Sequence, residues 1–136
     1  MTALSLMPLV LVIGIGSFAF LKIRPAAASS IAPADAFIRS VVTRDGGLGW
    51  QQLCLPVQRA LPRQTLESEA SAQKTAEAGT GLTLTSTSVG RQSLPQGGEV
   101  RVYDLQAHRA DGWSGQRTYQ VFTAKGGCVA DVQMNG

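Results

Sequence analysis

Hydrophobic and polar positions divide this chain into two unlike parts. From Thr2 to Leu21 twenty residues pass without a charge, TALSLMPLVLVIGIGSFAFL, and Lys22 and Arg24 close the run. A membrane-spanning helix needs about 20 apolar residues at 1.5 Å rise each, so this length predicts a single-pass transmembrane anchor over residues 1–24. Pro8 lies in its first turns, and Gly14 and Gly16 suit a membrane helix without forming a small-xxx-small dimer face. A cleaved signal is the rival reading, since Ala26-Ala27-Ala28 offers small residues for a cut before Ser29. Against it, no Lys or Arg precedes the run, the run is longer than the 7–15 residues of a signal core, and Lys22-Ile23-Arg24-Pro25 separates it from the alanines. Residues 25–33, small and uncharged between Pro25 and Pro33, read as a linker, and residues 34–136 as the folded domain.

Within that domain the period is helical first and alternating afterwards. Phe37, Ile38, Val41 and Val42 share one helical face, with Asp35 in the first turn and Arg44-Asp45-Gly46-Gly47 as the stop. Leu48 to Cys54 predicts a second short helix, ended by Pro56, and Pro62 opens a third over Arg63 to Glu77, Ala/Glu/Gln-rich and weakly amphipathic. Four strands follow: Leu82–Val89, Glu99–Arg109, Gln116–Ala124 and Cys128–Met134. Asp111-Gly112 marks a hairpin, and Lys125-Gly126-Gly127 the last turn. Such close turns pair successive strands antiparallel, so the expected fold is α+β: two or three short helices on one face of a four-stranded, curved antiparallel sheet.

A helix with Phe37-Ile38, a loop at Arg44-Asp45-Gly46, a helix with Trp50 and Cys54, and a meander ending Gly127-Cys128-Val129-Ala130 together resemble the small cone-shaped NTF2-like, or cystatin-like, domains. The likeness covers about residues 33–134, and more narrowly the chain is similar to the short extracytoplasmic versions held behind one membrane helix or signal in bacteria. It rests on element order and a few anchors. That superfamily includes isomerases, dehydratases, ligand binders and structural modules, so the resemblance implies a fold and assigns no activity.

Charge and composition then narrow the chemistry. The 136 residues carry twelve Lys/Arg and nine Asp/Glu, a net +3. Setting aside Lys22 and Arg24 leaves ten against nine, and Arg59, Arg63, Arg91, Arg101, Arg109 and Arg117 are dispersed, which argues against nucleic acid. Cys54 and Cys128 stand 74 positions apart, which excludes a CxxC or a metal knuckle. They read either as a disulfide, if the domain lies in an oxidising compartment, or as two buried thiols. Lys22 and Arg24 after the helix would hold the domain in the cytoplasm, whereas the cysteines place it outside; the expectation is extracytoplasmic.

Candidates for catalysis are thin. His108, the one histidine, shares a strand face with Asp104, but four residues along a strand span roughly 13 Å, too far for a direct hydrogen bond. Enzymes of the resembled superfamily hold an acid deep in the cone; Tyr103, Asp104, Tyr119 and Asp131 are the positions to consider, although Asp104, Gln106 and His108 alternate like a solvated face and Tyr103 and Tyr119 could pair across strands. No phosphate loop, nucleophile elbow, metal ligand set or cofactor motif is present, so no enzyme, cofactor or metal is expected. Trp50 reads as core. Trp113, between Gly112 and Ser114 at a hairpin tip, is either a partner anchor or packed back on its own sheet.

The reading is therefore a non-catalytic accessory or interaction protein, held by lipid contact through residues 2–21 and docking to a protein partner, as a small subunit of a larger membrane complex. The alternative is an extracytoplasmic module binding an apolar small molecule in a cavity above about 300 Å³, lined by Phe37, Leu105, Phe122 and Met134.

Overall fold

The computed structural model describes residues 31–135, and the expected anchor over residues 2–21 lies outside them. No helix among the described residues is long and apolar enough to cross a membrane. Eight elements follow in the order four helices, then four strands. Helix α1, Pro33–Thr43, starts with proline at its first position, where no amide is needed, and carries Asp35 in its first turn. Ala34, Phe37 and Ile38 point into the core. The helix stops at Arg44, which takes the left-handed conformation at φ 57° that glycine more often supplies. Asp45 then caps α2, Gly46–Gln51, by accepting the Leu48 amide at 3.0 Å.

Helix α2 is GGLGWQ, a poor helix former on propensity, and packing explains its glycines. A β-carbon on Gly46 would overlap the Leu66 backbone, and one on Gly49 would lie 2.6 Å from Ser40 Oγ. The glycines let α2 sit directly between α1 and the helix that holds Leu66. Helix α3, Leu55–Ala60, has Pro56 in its first turn, and α4, Arg63–Glu77, follows Pro62. Helix α4 buries no residue fully and is joined to the domain through α2. Trp50 Nε1 donates to the Leu61 carbonyl at 2.8 Å and Arg63 lies over the Trp50 ring, fixing the approach to α4. Arg44 adds a second tie, its guanidinium pairing with Glu77 and donating to Gln73 Oε1 at 3.0 Å.

The strands are β1, Thr83–Ser93; β2, Glu99–His108; β3, Ser114–Thr123; and β4, Val129–Asn135. They form one antiparallel meander in the order β1-β2-β3-β4. Tyr103 stands opposite Tyr119, the cross-strand aromatic pair that alternation suggests. Tyr103, Leu105, Tyr119, Val121 and Val132 point inward, where they join Ala34, Phe37, Ile38 and Leu53. Strand periodicity sends Val100, Val102, Asp104, Gln120, Phe122 and Asp131 to the other face.

The α+β class, the helices-then-strands order and the four antiparallel strands agree with expectation. The details differ in three places. Among the described residues there are four helices, because Pro56 lies in the first turn of a new helix, α3, rather than ending the one before it. Helix α2 ends at Gln51, so Cys54 sits in an extended segment rather than on a helix. Strand β1 continues to Ser93, since a register shift between Ser88 and Gly90 absorbs Val89 and lets pairing resume.

Candidate functional site

Among the described residues three constellations bring polar or reactive side chains together. The first is built where α1 crosses the sheet. Arg101 and Tyr103 alternate on the inward face of β2, and Asp35 lies above them in the first turn of α1. The Tyr103 hydroxyl donates to Asp35 Oδ1 at 2.5 Å. Arg101 donates through Nη1 to both Asp35 oxygens at 3.3 Å and through Nε to Glu99 Oε2 at 2.6 Å. Burial pushes the Tyr103 phenol well above the ordinary tyrosine range, and the Asp35 carboxylate pushes the same way. The hydrogen bond to Glu99 raises the Arg101 guanidinium against the opposing cost of its burial. A phenol so strongly held in its protonated form is a poor general base. The arrangement acts as a clamp between helix and sheet.

The second constellation is the cysteine pair. Cys54 and Cys128 stand at disulfide distance, with their α-carbons 4.9 Å apart. Backbone pairing puts them there: the segment around Leu53 adds in parallel beside the start of β4, Cys54 N donating to Val129 O and Val129 N to Gln52 O, both at 2.8 Å. Leu53 thereby covers the first part of the β4 edge.

The third is the β2–β3 hairpin, and it carries Trp113. Gly112, at φ 96°, makes the turn, with its amide on the Arg109 carbonyl at 3.0 Å. Asp111 accepts the Trp113 amide at 2.9 Å and the Arg109 guanidinium at 3.2 Å, and these two partners hold its carboxyl below the usual range. The Trp113 ring rests against Gly115, where an added β-carbon would be 2.8 Å away, and Arg109 stacks over the ring with its guanidinium carbon 4.9 Å from the ring centre. The indole is fixed on two sides and still 48 % exposed. Trp113 therefore packs against its own hairpin and leaves about half its surface exposed. The Ala110 amide on the Thr80 carbonyl, at 3.1 Å, braces the loop from outside.

This tip lies at the far end of the sheet from the point where the chain arrives. Pro33 sits against Gly127 of the β3–β4 turn, whereas Trp113 follows the ten residues of β2, about 30 Å along the strands.

The remaining candidates do not converge. His108 is exposed, and Asp104 accepts from Thr118 Oγ1 at 3.0 Å on the same sheet face. Asp131 lies on that face too, beside Phe122, and burial raises its carboxyl above the ordinary range against hydrogen bonds from Gln133 and the Val132 amide. Phe37 and Leu105 fill the core while Phe122 points to the opposite side, so Phe37, Leu105, Phe122 and Met134 line no common cavity. A cavity of about 50 Å³, the size for a water or two, lies between α1, α2 and α4 beside Phe37, Arg44 and Leu66. No group of three metal-ligating side chains is found among the described residues.

No known protein family matches the chain, and no curated protein is similar to it.

The clamp was the functional-looking cluster that pattern reading missed. Its signal was present: an arginine at an inward strand position needs an acidic partner, and Asp35 opens the helix laid over that face. The Arg44 tie to α4 had no local signal, since helix-ending arginines are ordinary.

Proposed function

We propose that this chain is a non-catalytic, membrane-anchored interaction protein whose domain lies outside the cytoplasm and docks to a protein partner through the Trp113 hairpin. Residues 2–21 supply the anchor on this reading, and the linker over residues 25–33 joins it to α1. The disulfide-distance pair Cys54–Cys128 supports an oxidising compartment. An NTF2-like architecture agrees with the helices-then-meander order. The observation that carries the proposal is Trp113: a rigidly braced, half-exposed indole under an arginine, at the end of the sheet remote from the tether. Tryptophan and arginine dominate the energetics of protein interfaces, and an anchor already fixed loses little side-chain freedom on binding.

The test uses the full chain extracted from membranes in mild detergent. It is expected to migrate within a discrete larger complex, and Trp113→Ala to release it as the free chain while its circular dichroism shows the domain still folded. Migration of the wild-type chain alone, or a complex indifferent to Trp113→Ala, would overturn the reading.

A further inference from the structure

We propose that β1 is a self-pairing edge, through which two copies of this chain join antiparallel into one sheet of eight strands. This goes beyond the hairpin docking site, uses a different surface, and stands whether or not residues 2–21 enter a membrane. The order β1-β2-β3-β4 leaves β1 and β4 as the two edges, and they are treated differently. Strand β4 has seven residues, and its start is covered by the segment at Leu53. Strand β1 has eleven, exposed at every position but Leu84, and no backbone partner lies on its outer side among the described residues. An unpaired edge of that length templates another strand unless something prevents it. Edges are usually blunted by lysine, proline, an inward charge or a bulge. Between Thr83 and Ser88 none of these is present; the bulge comes only at Val89 and the one charge at Arg91.

Two observations favour a second copy over a foreign peptide. Strand-adding peptides are recognised through pockets for alternate side chains, but from Thr83 to Ser88 β1 offers only short Ser and Thr side chains around the half-buried Leu84. The segment is also compatible with itself. It is uncharged from Leu82 to Gly90, so an antiparallel partner sets no like charges opposite, and Arg91 faces Glu99 of its own sheet at 3.9 Å. A two-fold axis at Ser86 places Thr85 of one copy beside Thr87 of the other, a cross-strand pairing that sheets favour. So short a ladder buries less than the roughly 1,200 Å² of a stable complex, and the association is accordingly weak and reversible.

The test takes the full-length chain in mild detergent through a concentration series by sedimentation. Wild type is expected to dimerise reversibly. Thr85→Lys with Thr87→Lys, and separately Thr85→Glu with Thr87→Glu, should each weaken the dimer about tenfold, and mixing the Lys and Glu chains should restore it. Both positions are exposed, so circular dichroism should be unchanged. Independently, a benzophenone amino acid in place of Ser86 should cross-link to residues 83–89 of the second copy. A wild-type chain that stays monomeric overturns the proposal. So does a dimer that ignores the Lys pair, which would assign the contact to the N-terminal segment or the outer sheet face. Failure of the mixed chains to recover, or cross-links only to another protein, overturns it as well.

Discussion

Tyr103 donates its hydroxyl to Asp35 across 68 residues of sequence, joining the middle of β2 to the first turn of α1. Asp35 also lies at the positive end of the α1 dipole, so one carboxylate serves the helix, the phenol and Arg101 together. Removing the phenol oxygen in Tyr103→Phe leaves Asp35 partly exposed and able to take water. The loss should therefore be about 1–2 kcal/mol, the lower part of the range for hydrogen bonds to charged groups. Urea unfolding of the two proteins measures it, and equal midpoints would show that the clamp contributes nothing.

The same bond gives a pH dependence of defined sign. Burial and Asp35 hold the folded-state phenol above its ordinary value of 10.0, so the unfolded chain releases that proton first as pH rises. The stabilisation is complete below pH 10 and is lost on the way up to the folded-state value. Tyr119, raised by burial, acts in the same direction. Stability should fall above pH 10 in the wild type and fall less steeply in Tyr103→Phe. Parallel curves for the two would mean Tyr103 is not the titrating group.

Arg44 holds two opposed contributions. Its left-handed backbone costs about 1 kcal/mol relative to glycine, and its guanidinium ties α1 to Glu77 and Gln73 of α4. Arg44→Ala keeps the cost and loses the tie, whereas Arg44→Gly loses both. Gly should be the milder substitution by about 1 kcal/mol in denaturant unfolding. If Ala is the milder, backbone strain at this position is negligible.

Asp131 should behave as a destabilising residue at neutral pH. Burial raises its folded-state carboxyl above the ordinary 3.8, so its contribution is fully present below pH 3.8 and lost as pH rises through the folded value. The group is only partly buried, which keeps the effect small. Asp131→Asn should raise the melting temperature at neutral pH by about 1–3 °C and leave it unchanged in acid. A lower melting temperature would show that the bonds to Gln133 and the Val132 amide outweigh burial.

Where the chain repeats a simple period, its fold was legible. Phe37, Ile38, Val41 and Val42 marked α1, alternation from Glu99 onward marked β2 and β3, and the Tyr103–Tyr119 pairing followed from them. What escaped was set by contact rather than by period. The glycines of α2 read as breakers until the Leu66 backbone and Ser40 are seen against them. Cys54 was placed on a helix because Leu48 to Cys54 continues a helical pattern; the hydrogen bonds to Val129 that draw it straight come from 75 residues away, where no local pattern speaks. At the hairpin tip, sequence marked Trp113 but not its restraint, because Arg109 and Gly115 flank it in space only once Gly112 has turned the chain.

The cysteine pair offers the most direct check on where the domain resides. Cys54 and Cys128 close a loop of 74 residues, and a covalent link there removes unfolded-state entropy worth up to about 4–5 kcal/mol. The backbone bonds between Gln52, Cys54 and Val129 hold the strand ends together without it, so the reduced domain keeps its topology and loses stability. Mass measurement of the chain as isolated, before and after reduction, should show the gain of two hydrogens. Cys54→Ser with Cys128→Ser should lower unfolding stability by several kcal/mol and remove the effect of reductant. A chain isolated with both thiols free, and stability indifferent to reductant, would place the domain in a reducing compartment and reverse the orientation proposed for it.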